Sequence, residues 1–138
     1  MLNFNQYVIL SAELSHLTRE ENRTRTNQLE LMLKHAGFKP VLMKGFYKGS
    51  SETSFLISLD RFFVPTERID DIERLEFIAF DRFQQESILV QYSDGHARLH
   101  YPNHIEHIGK IREVSEEIAL TKDSYTFYPQ LNSYYAVI

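Results

Sequence analysis

The chain has 138 residues, of which 43% are hydrophobic and 25% charged, as in ordinary globular domains. Its net charge is −4 with scattered Lys and Arg, so no basic footprint for nucleic acid is present, and without cysteine it has no disulfide, zinc–thiolate site or thiol nucleophile. The sequence shows neither a secretory signal nor an apolar run of membrane-spanning length. We therefore expect a single domain over residues 1–138, located in the cytoplasm, with no membrane or nucleic-acid partner.

The first predicted elements are a buried strand and a helix. Residues 6–12 (QYVILSA) form a short, nearly continuous apolar run, which is typical of a buried strand. The run ends in Ser11 and Ala12, two small residues where a ligand could approach the backbone closely. The sequence of Thr18–Glu21 is a capping box, which predicts a helix continuing to about residue 36.

One face of this helix changes from apolar to polar along its length. Its inward stripe is apolar near the C-terminus, at Leu29, Met32, Leu33 and Ala36. The same face reaches Asn22 and Arg25 near the N-terminus. Either these two side chains overhang the edge of a sheet, or they face a polar cleft, and the sequence leaves both readings open.

A predicted hairpin carries a carboxylate at a strand entrance. Residues 41–47 and 53–59 read as two apolar strands joined by a glycine-bearing turn. Period-two alternation puts Glu52 and Ser54 on one face of the second strand, with Tyr47 on the facing strand. This pattern indicates either a polar site on an apolar sheet or a charged strand end exposed to water.

The second half of the chain continues with alternating elements. We predict a loop at 60–68, a helix at 69–83, strands at 87–92 and 96–101 around an Asp-Gly turn, and aromatic strands at 125–128 and 133–138. The isoleucine spacing between Pro102 and Thr121 fits a helix or an irregular strand. This order predicts an α+β fold, a mostly antiparallel sheet with both helices packed on one face. The other, aromatic face would then need a cover.

Four histidines lie close together in the sequence, at His96, His100, His104 and His107. Their spacing matches no metal-binding motif, so we expect surface histidines and no metal. No phosphate-binding loop or hydrolase nucleophile elbow is present either, and we expect no cofactor.

Several short motifs occur in a fixed order over roughly residues 6–101: the strand Tyr7–Ala12, Asn22-x-x-Arg25, Gly45-x-Tyr47, Glu52 at the strand entrance, and Gln85-x-x-Ile88. Taken together, they resemble the phage S-adenosylmethionine lyases. The resemblance extends to an uncharacterised bacterial family of similar size.

This resemblance implies an activity and a site. In those enzymes the carboxylate of S-adenosylmethionine attacks its own γ-carbon, which gives 5′-methylthioadenosine and homoserine lactone. By resemblance, Glu52 and Tyr47 are the catalytic residues. The implied substrate-binding residues are Ser11, Ala12, Glu13, Asn22, Arg25, Ser54 and Gln85. Asn22 and Gln85 also fit a structural role, capping helix ends and tying loops.

The resemblance further implies a homotrimer and a phage counter-defence protein that depletes the methyl donor in the host cytoplasm. Two other classes stay open. The same cleft could hold a nucleotide-like small ligand without turnover, or the aromatic strands could dock on a host enzyme as an inhibitor. Release of methylthioadenosine separates the lyase from both.

Overall fold

The chain folds as a closed antiparallel barrel in the computed structural model, which describes residues 6–47, 50–59 and 65–137. The strands are β1 (Tyr7–Ser11), β2 (Val41–Tyr47), β3 (Ser50–Ser58), β4 (Ile88–Gln91), β5 (His96–His100), β6 (Ile105–Val114), β7 (Ser124–Tyr128) and β8 (Ser133–Val137). The helices are α1 (Arg19–His35), α2 (Pro65–Phe77) and the single-turn α3 (Glu116–Ala119). Around the barrel the strands follow the order β1-β3-β2-β7-β8-β6-β5-β4, and β4 pairs with β1 to close it.

Two separate hydrophobic cores hold the fold together. The larger one lies outside the barrel, where helices α1 and α2 cover the outer faces of β1, β3 and β4; it includes Val8, Leu10, Leu29, Leu33, Phe55, Ile57, Leu75, Ile88 and Val90. The smaller one fills the barrel itself, with Tyr7, Met43, Leu56, Tyr128 and Tyr135. Because successive strand residues point to opposite faces, a single strand such as β3 supplies both cores.

Helix α1 has the start and the end that its sequence predicts. The Thr18 hydroxyl accepts from the Glu21 amide at 3.1 Å, and the Glu21 carboxylate accepts from the Thr18 amide at 3.1 Å. At the other end Gly37 has a φ of +91°, the left-handed conformation that commonly follows a helix. Both signals of the predicted helix are confirmed.

The second helix differs from its prediction at both ends. It begins at Pro65, within the predicted loop, because proline suits the first helical turn, where an amide would have no intrahelical partner; residues 60–64 lie outside the described part. The α-helix ends at Phe77 and continues as a π-helical turn over Ile78–Arg82. The backbone amide of Gln85 then donates to the Ala79 carbonyl at 2.9 Å, so Gln85 is held against the end of this helix.

The predicted α+β fold with an open sheet is wrong, because the structure is mostly β and its sheet closes. The strand missing from the prediction is β6, which pairs with β5 on one side and with β8 on the other and so joins the two parts of the sheet. The face that we expected to be bare is therefore the interior of the barrel. This removes the reason for expecting a partner to cover it.

The sequence did not clearly predict strand β6, and the reason is physical. It lacks a steady alternation of buried and exposed residues, and Ile105 at its start is 52% exposed. The register of its pairing shifts near Ala97 and Arg98, and Gly109 has a φ of +107°. A bulge of this kind breaks the period of two that identifies strands in a sequence.

Candidate active site

The predicted site residues meet at one end of the barrel, where β1 ends and β3 begins. Ser11 pairs with Ser54 across these two strands, and both side chains are buried. Alternation along β3 puts Glu52 on the same inward face as Ser54 and Leu56. The inner face of β3 therefore changes from apolar to polar towards this end of the barrel.

Ser11 and Glu13 fasten the end of β1 to the start of β3. The Ser11 hydroxyl donates to the Thr53 carbonyl at 2.9 Å and accepts from the Glu13 amide at 3.1 Å. The Glu13 carboxylate accepts from the Thr53 amide at 2.8 Å. Both backbone groups of Thr53, the residue next to Glu52, are thus bound by side chains from the β1 end.

Glu52 has an unusual protonation behaviour for a residue that solvent reaches. As a whole it is exposed, but its carboxyl group lies among enough protein atoms that desolvation raises its pKa to about 7. Repulsion by Glu13 raises the pKa further, and the nearby Ser11 side chain lowers it in part. Near neutral pH this group exists in both protonation states, which is a common property of functional carboxyl groups.

The segment after β1 is anchored by side chains from α1. Asn22 makes two hydrogen bonds with Leu14: its Oδ1 accepts from the backbone amide at 2.9 Å and its Nδ2 donates to the carbonyl at 3.0 Å. Arg25 Nε donates to the Ala12 carbonyl at 2.7 Å, and Arg25 Nη2 donates to the Phe83 carbonyl. Arg25 therefore ties this segment to the end of the second helix.

Gln85 completes the anchoring from that helix. Its Nε2 donates to the Glu13 carbonyl at 3.0 Å and to the Phe83 carbonyl at 3.3 Å. The structural role that the sequence allowed for Asn22 and Gln85 matches these contacts, and Arg25 shares it. Their polar groups hold the backbone around Glu13, and their proposed contact with substrate stays a prediction.

Tyr47, the remaining predicted catalytic residue, lies on β2. Its backbone pairs with Ser50 of β3 and Ser124 of β7. Its side chain lies outside the part of the chain that the structure describes.

Sequence reasoning missed the polar groups inside the barrel. Tyr7 is 3% exposed and donates to Gln91 Oε1 at 3.4 Å, and burial raises the pKa of its phenol. Tyr135 donates to Glu113 Oε1 at 3.4 Å. The alternation Tyr7-x-Ile9-x-Ser11 already put Tyr7 on the face of Ser11, but only closure of the barrel brings Tyr135 to that face.

The expectation of four surface histidines is wrong for His100, which is 5% exposed. Its Nε2 lies 2.7 Å from the Tyr92 hydroxyl, and its Nδ1 lies 3.6 Å from the Glu76 carboxylate. Burial lowers the pKa of this imidazole, and the positive charge of Arg98 lowers it further. Across residues 6–47, 50–59 and 65–137, no group of three or more His, Asp or Glu side chains is arranged to hold a metal ion.

The fold and the site define a small antiparallel barrel with a pair of acidic residues at one end. The sequence model of the S-adenosylmethionine lyase family matches residues 8–138, nearly the whole chain, and the protein belongs to this family. The family resemblance inferred from residues 6–101 is therefore confirmed, and the match extends through β6, β7 and β8. No curated protein matches the chain.

The family description names S-adenosylmethionine as the substrate and a lyase as the class of enzyme. None of the described helices has the length and apolar character needed to cross a bilayer.

Proposed function

We propose that this protein cleaves S-adenosylmethionine to 5′-methylthioadenosine and homoserine lactone, at the barrel end that holds Glu13 and Glu52. The observation that carries the proposal is the inward-facing Glu52 carboxyl group, which lies between solvent and the buried barrel interior. An anionic group in such a position suits a ligand that carries a sulfonium and an ammonium.

The reaction needs no nucleophile from the protein. A carboxylate oxygen of the substrate forms a bond to its own γ-carbon, and the bond between that carbon and sulfur breaks. The electron pair of this bond stays on sulfur, which becomes the neutral thioether of methylthioadenosine, while the ammonium stays on the lactone. No proton and no electron is exchanged with the protein.

Such a reaction is helped by surroundings that solvate ions poorly. The attacking carboxylate and the sulfonium neutralise each other as the transition state forms, so water stabilises the separated charges more than the transition state. Next to Ser54, the buried side chains of Leu56 and Met43 make the barrel interior apolar just inside this end. A substrate held there with its carboxylate against its γ-carbon also gains from proximity.

The following roles of individual residues are part of this proposal. Glu52 would hold the sulfonium or ammonium side of the substrate, beside Tyr47. Ser11, Ala12, Glu13 and Ser54 would form the adjacent wall. Because the Glu13 amide donates to Ser11 Oγ, this backbone donor contributes through the shape of the wall rather than by binding the substrate.

We also propose that the protein acts as a homotrimer and, in a phage, depletes the methyl donor of the host. An aromatic cluster on the outer faces of β2, β7 and β8 supports association. Helices α1 and α2 cover the opposite side of the barrel, so another subunit could pack on this cluster, which consists of Phe46, Tyr125, Phe127 and Tyr134. Light scattering should give about three times the chain mass of 16.3 kDa. A mass equal to that of one chain would contradict the proposed homotrimer.

The activity is tested by incubating the purified protein with S-adenosylmethionine and separating the products by chromatography. We expect methylthioadenosine and homoserine lactone in equal amounts, without added metal. Free homoserine formed without lactone would indicate hydrolysis instead. Unchanged substrate at micromolar protein would contradict the lyase, and binding of the intact substrate would then favour the small-ligand-binding module.

A further inference from the structure

Glu13 and Glu52 enter the same end of the barrel from neighbouring strands, but they are held differently. The Glu13 carboxylate is fixed on the Thr53 amide at 2.8 Å, and its own backbone amide is bound by Ser11. The Glu13 carbonyl accepts from Gln85 at 3.0 Å. Glu13 is therefore held at its side chain and at both backbone groups, whereas Glu52 reaches solvent.

The surroundings of Glu52 make Glu13 its main charged neighbour. Besides Glu52, the described residues on the inward face at this end are Ser11 on β1, Ser54 on β3, Gly45 on β2 and Thr126 on β7, and Glu13 follows β1. Among these described residues, Glu13 alone carries a side chain that ionises. Desolvation and then Glu13 raise the pKa of the Glu52 carboxyl group to about 7. The residue that lies beside Glu52 is thus also the one whose charge raises its pKa.

We propose that Glu13 is a positioning residue whose fixed carboxylate, together with the burial of the Glu52 carboxyl group, keeps a proton on Glu52 in the empty site, and that the cationic substrate displaces this proton when it binds. This inference rests on the proposed function, since it takes S-adenosylmethionine as the cation. The proton passes from Glu52 to solvent, and the freed carboxylate faces the sulfonium of the ligand. A ligand that has a neutral thioether in place of the sulfonium, and keeps the same α-ammonium, leaves the proton on Glu52.

The consequence is an affinity for cations that depends on pH. With a pKa of about 7, the ionised fraction of Glu52 falls about tenfold between pH 8 and pH 6, and the affinity falls with it. The effect appears in binding and in KM, because the proton has already left when the reaction begins. In Glu13→Gln, binding should depend less on pH over this range, although desolvation still raises the pKa of Glu52.

The experiment measures the titration of Glu52 directly. Protein labelled with ¹³C at the glutamate carboxyl groups is titrated by NMR, and the Glu52 signal is assigned by its absence from Glu52→Gln. Glu13→Gln retains an oxygen that can accept from the Thr53 amide, so it removes the charge and keeps the hydrogen bond. Glu117→Gln, at an exposed position on α3, is the matched control.

We expect Glu52 to titrate near pH 7 in the wild type and in Glu117→Gln, and at a lower pH in Glu13→Gln. Calorimetry at pH 7 in two buffers of different ionisation enthalpy then counts released protons. The probes are an analogue with an ammonium in place of the sulfonium, which is not cleaved, and S-adenosylhomocysteine. We expect about half a proton released with the first and none with the second.

Titration of Glu52 in its ordinary range, or no change in Glu13→Gln, would overturn the proposal whether or not the protein is active. Equal proton release with both ligands, or none with the cation, would overturn it as well. Failure of the proposed function is visible separately, as the absence of methylthioadenosine from the wild-type reaction.

Discussion

The two faces of strand β3 serve different purposes, although they alternate residue by residue. The outward face, with Phe55 and Ile57, is buried under α1 and α2 in a wholly apolar core. The inward face carries Glu52, Ser54 and Leu56, so it turns from apolar to polar along the strand. A dry outer core can stabilise the strand strongly, and the inner face can then hold polar groups that stabilise it less.

The largest expected effect compares adjacent residues on these two faces. Leu56→Ala and Ile57→Ala should each lower the free energy of unfolding by about 2–5 kcal/mol, since both side chains are fully buried. Only Leu56→Ala should also change KM, because it opens a cavity beside Tyr7 below the candidate site. Denaturant unfolding and steady-state kinetics on both variants check this. Equal changes in KM would break the distinction between the faces.

The next effect concerns the acidic end of the inner face. Glu52→Gln should lower kcat/KM roughly 30- to 1,000-fold, since it removes a charge aimed at a cationic substrate. This corresponds to a loss of about 2–4 kcal/mol of transition-state stabilisation. Glu76→Gln, which changes a carboxylate on α2 beside His100, is the control and should stay close to wild type. Glu13→Gln should lose less than Glu52→Gln. Native activity in Glu52→Gln would mean that another acid carries the role.

The smallest expected effect is on the free energy of unfolding, which Glu52→Gln should raise, whereas the core variants above should lower it. The pKa of Glu52 is raised from 4.5 in the unfolded chain to about 7, so the folded state binds the proton more tightly and loses stability as the pH rises between these values. Above pH 7, Glu52→Gln should therefore be more stable than wild type, by about 1–2 kcal/mol after allowance for solvent screening. The difference should vanish below about pH 4. Thermal unfolding across this pH range measures it, and a variant less stable at pH 8 would contradict the buried-charge explanation.

Local signals in the sequence predicted the individual elements well. The apolar run at β1, the capping box of α1 and the turn between β4 and β5 each depend on neighbouring residues, and each appears in the structure. The closure of the sheet depends instead on β6, whose bulge removes the alternation and whose partners β5 and β8 lie on opposite sides of it in the sequence. Pairing between distant segments cannot be read from periodicity alone.

The same distinction applies to the site. Glu52 and Ser54 share a face because of simple alternation, and the small residues at the end of β1 marked where the chain approaches them. The contact of Glu13 with Thr53 depends on the register between β1 and β3, which no local pattern specifies. The burial of His100 was missed because it depends on Glu76 of α2 and on Tyr92, which follows β4.

The π-helical turn at Ile78–Arg82 has a consequence for the motions of the molecule. The residues that follow it, Phe83 and Gln85, contact Arg25 and Glu13, so the segment after β1 is bound to both helices at once. This segment cannot detach without breaking hydrogen bonds to α1 and to the end of the second helix together. We therefore expect its backbone amides to exchange with solvent deuterium at the rate of a cooperative unit that includes α1, rather than at the faster rate of a surface loop.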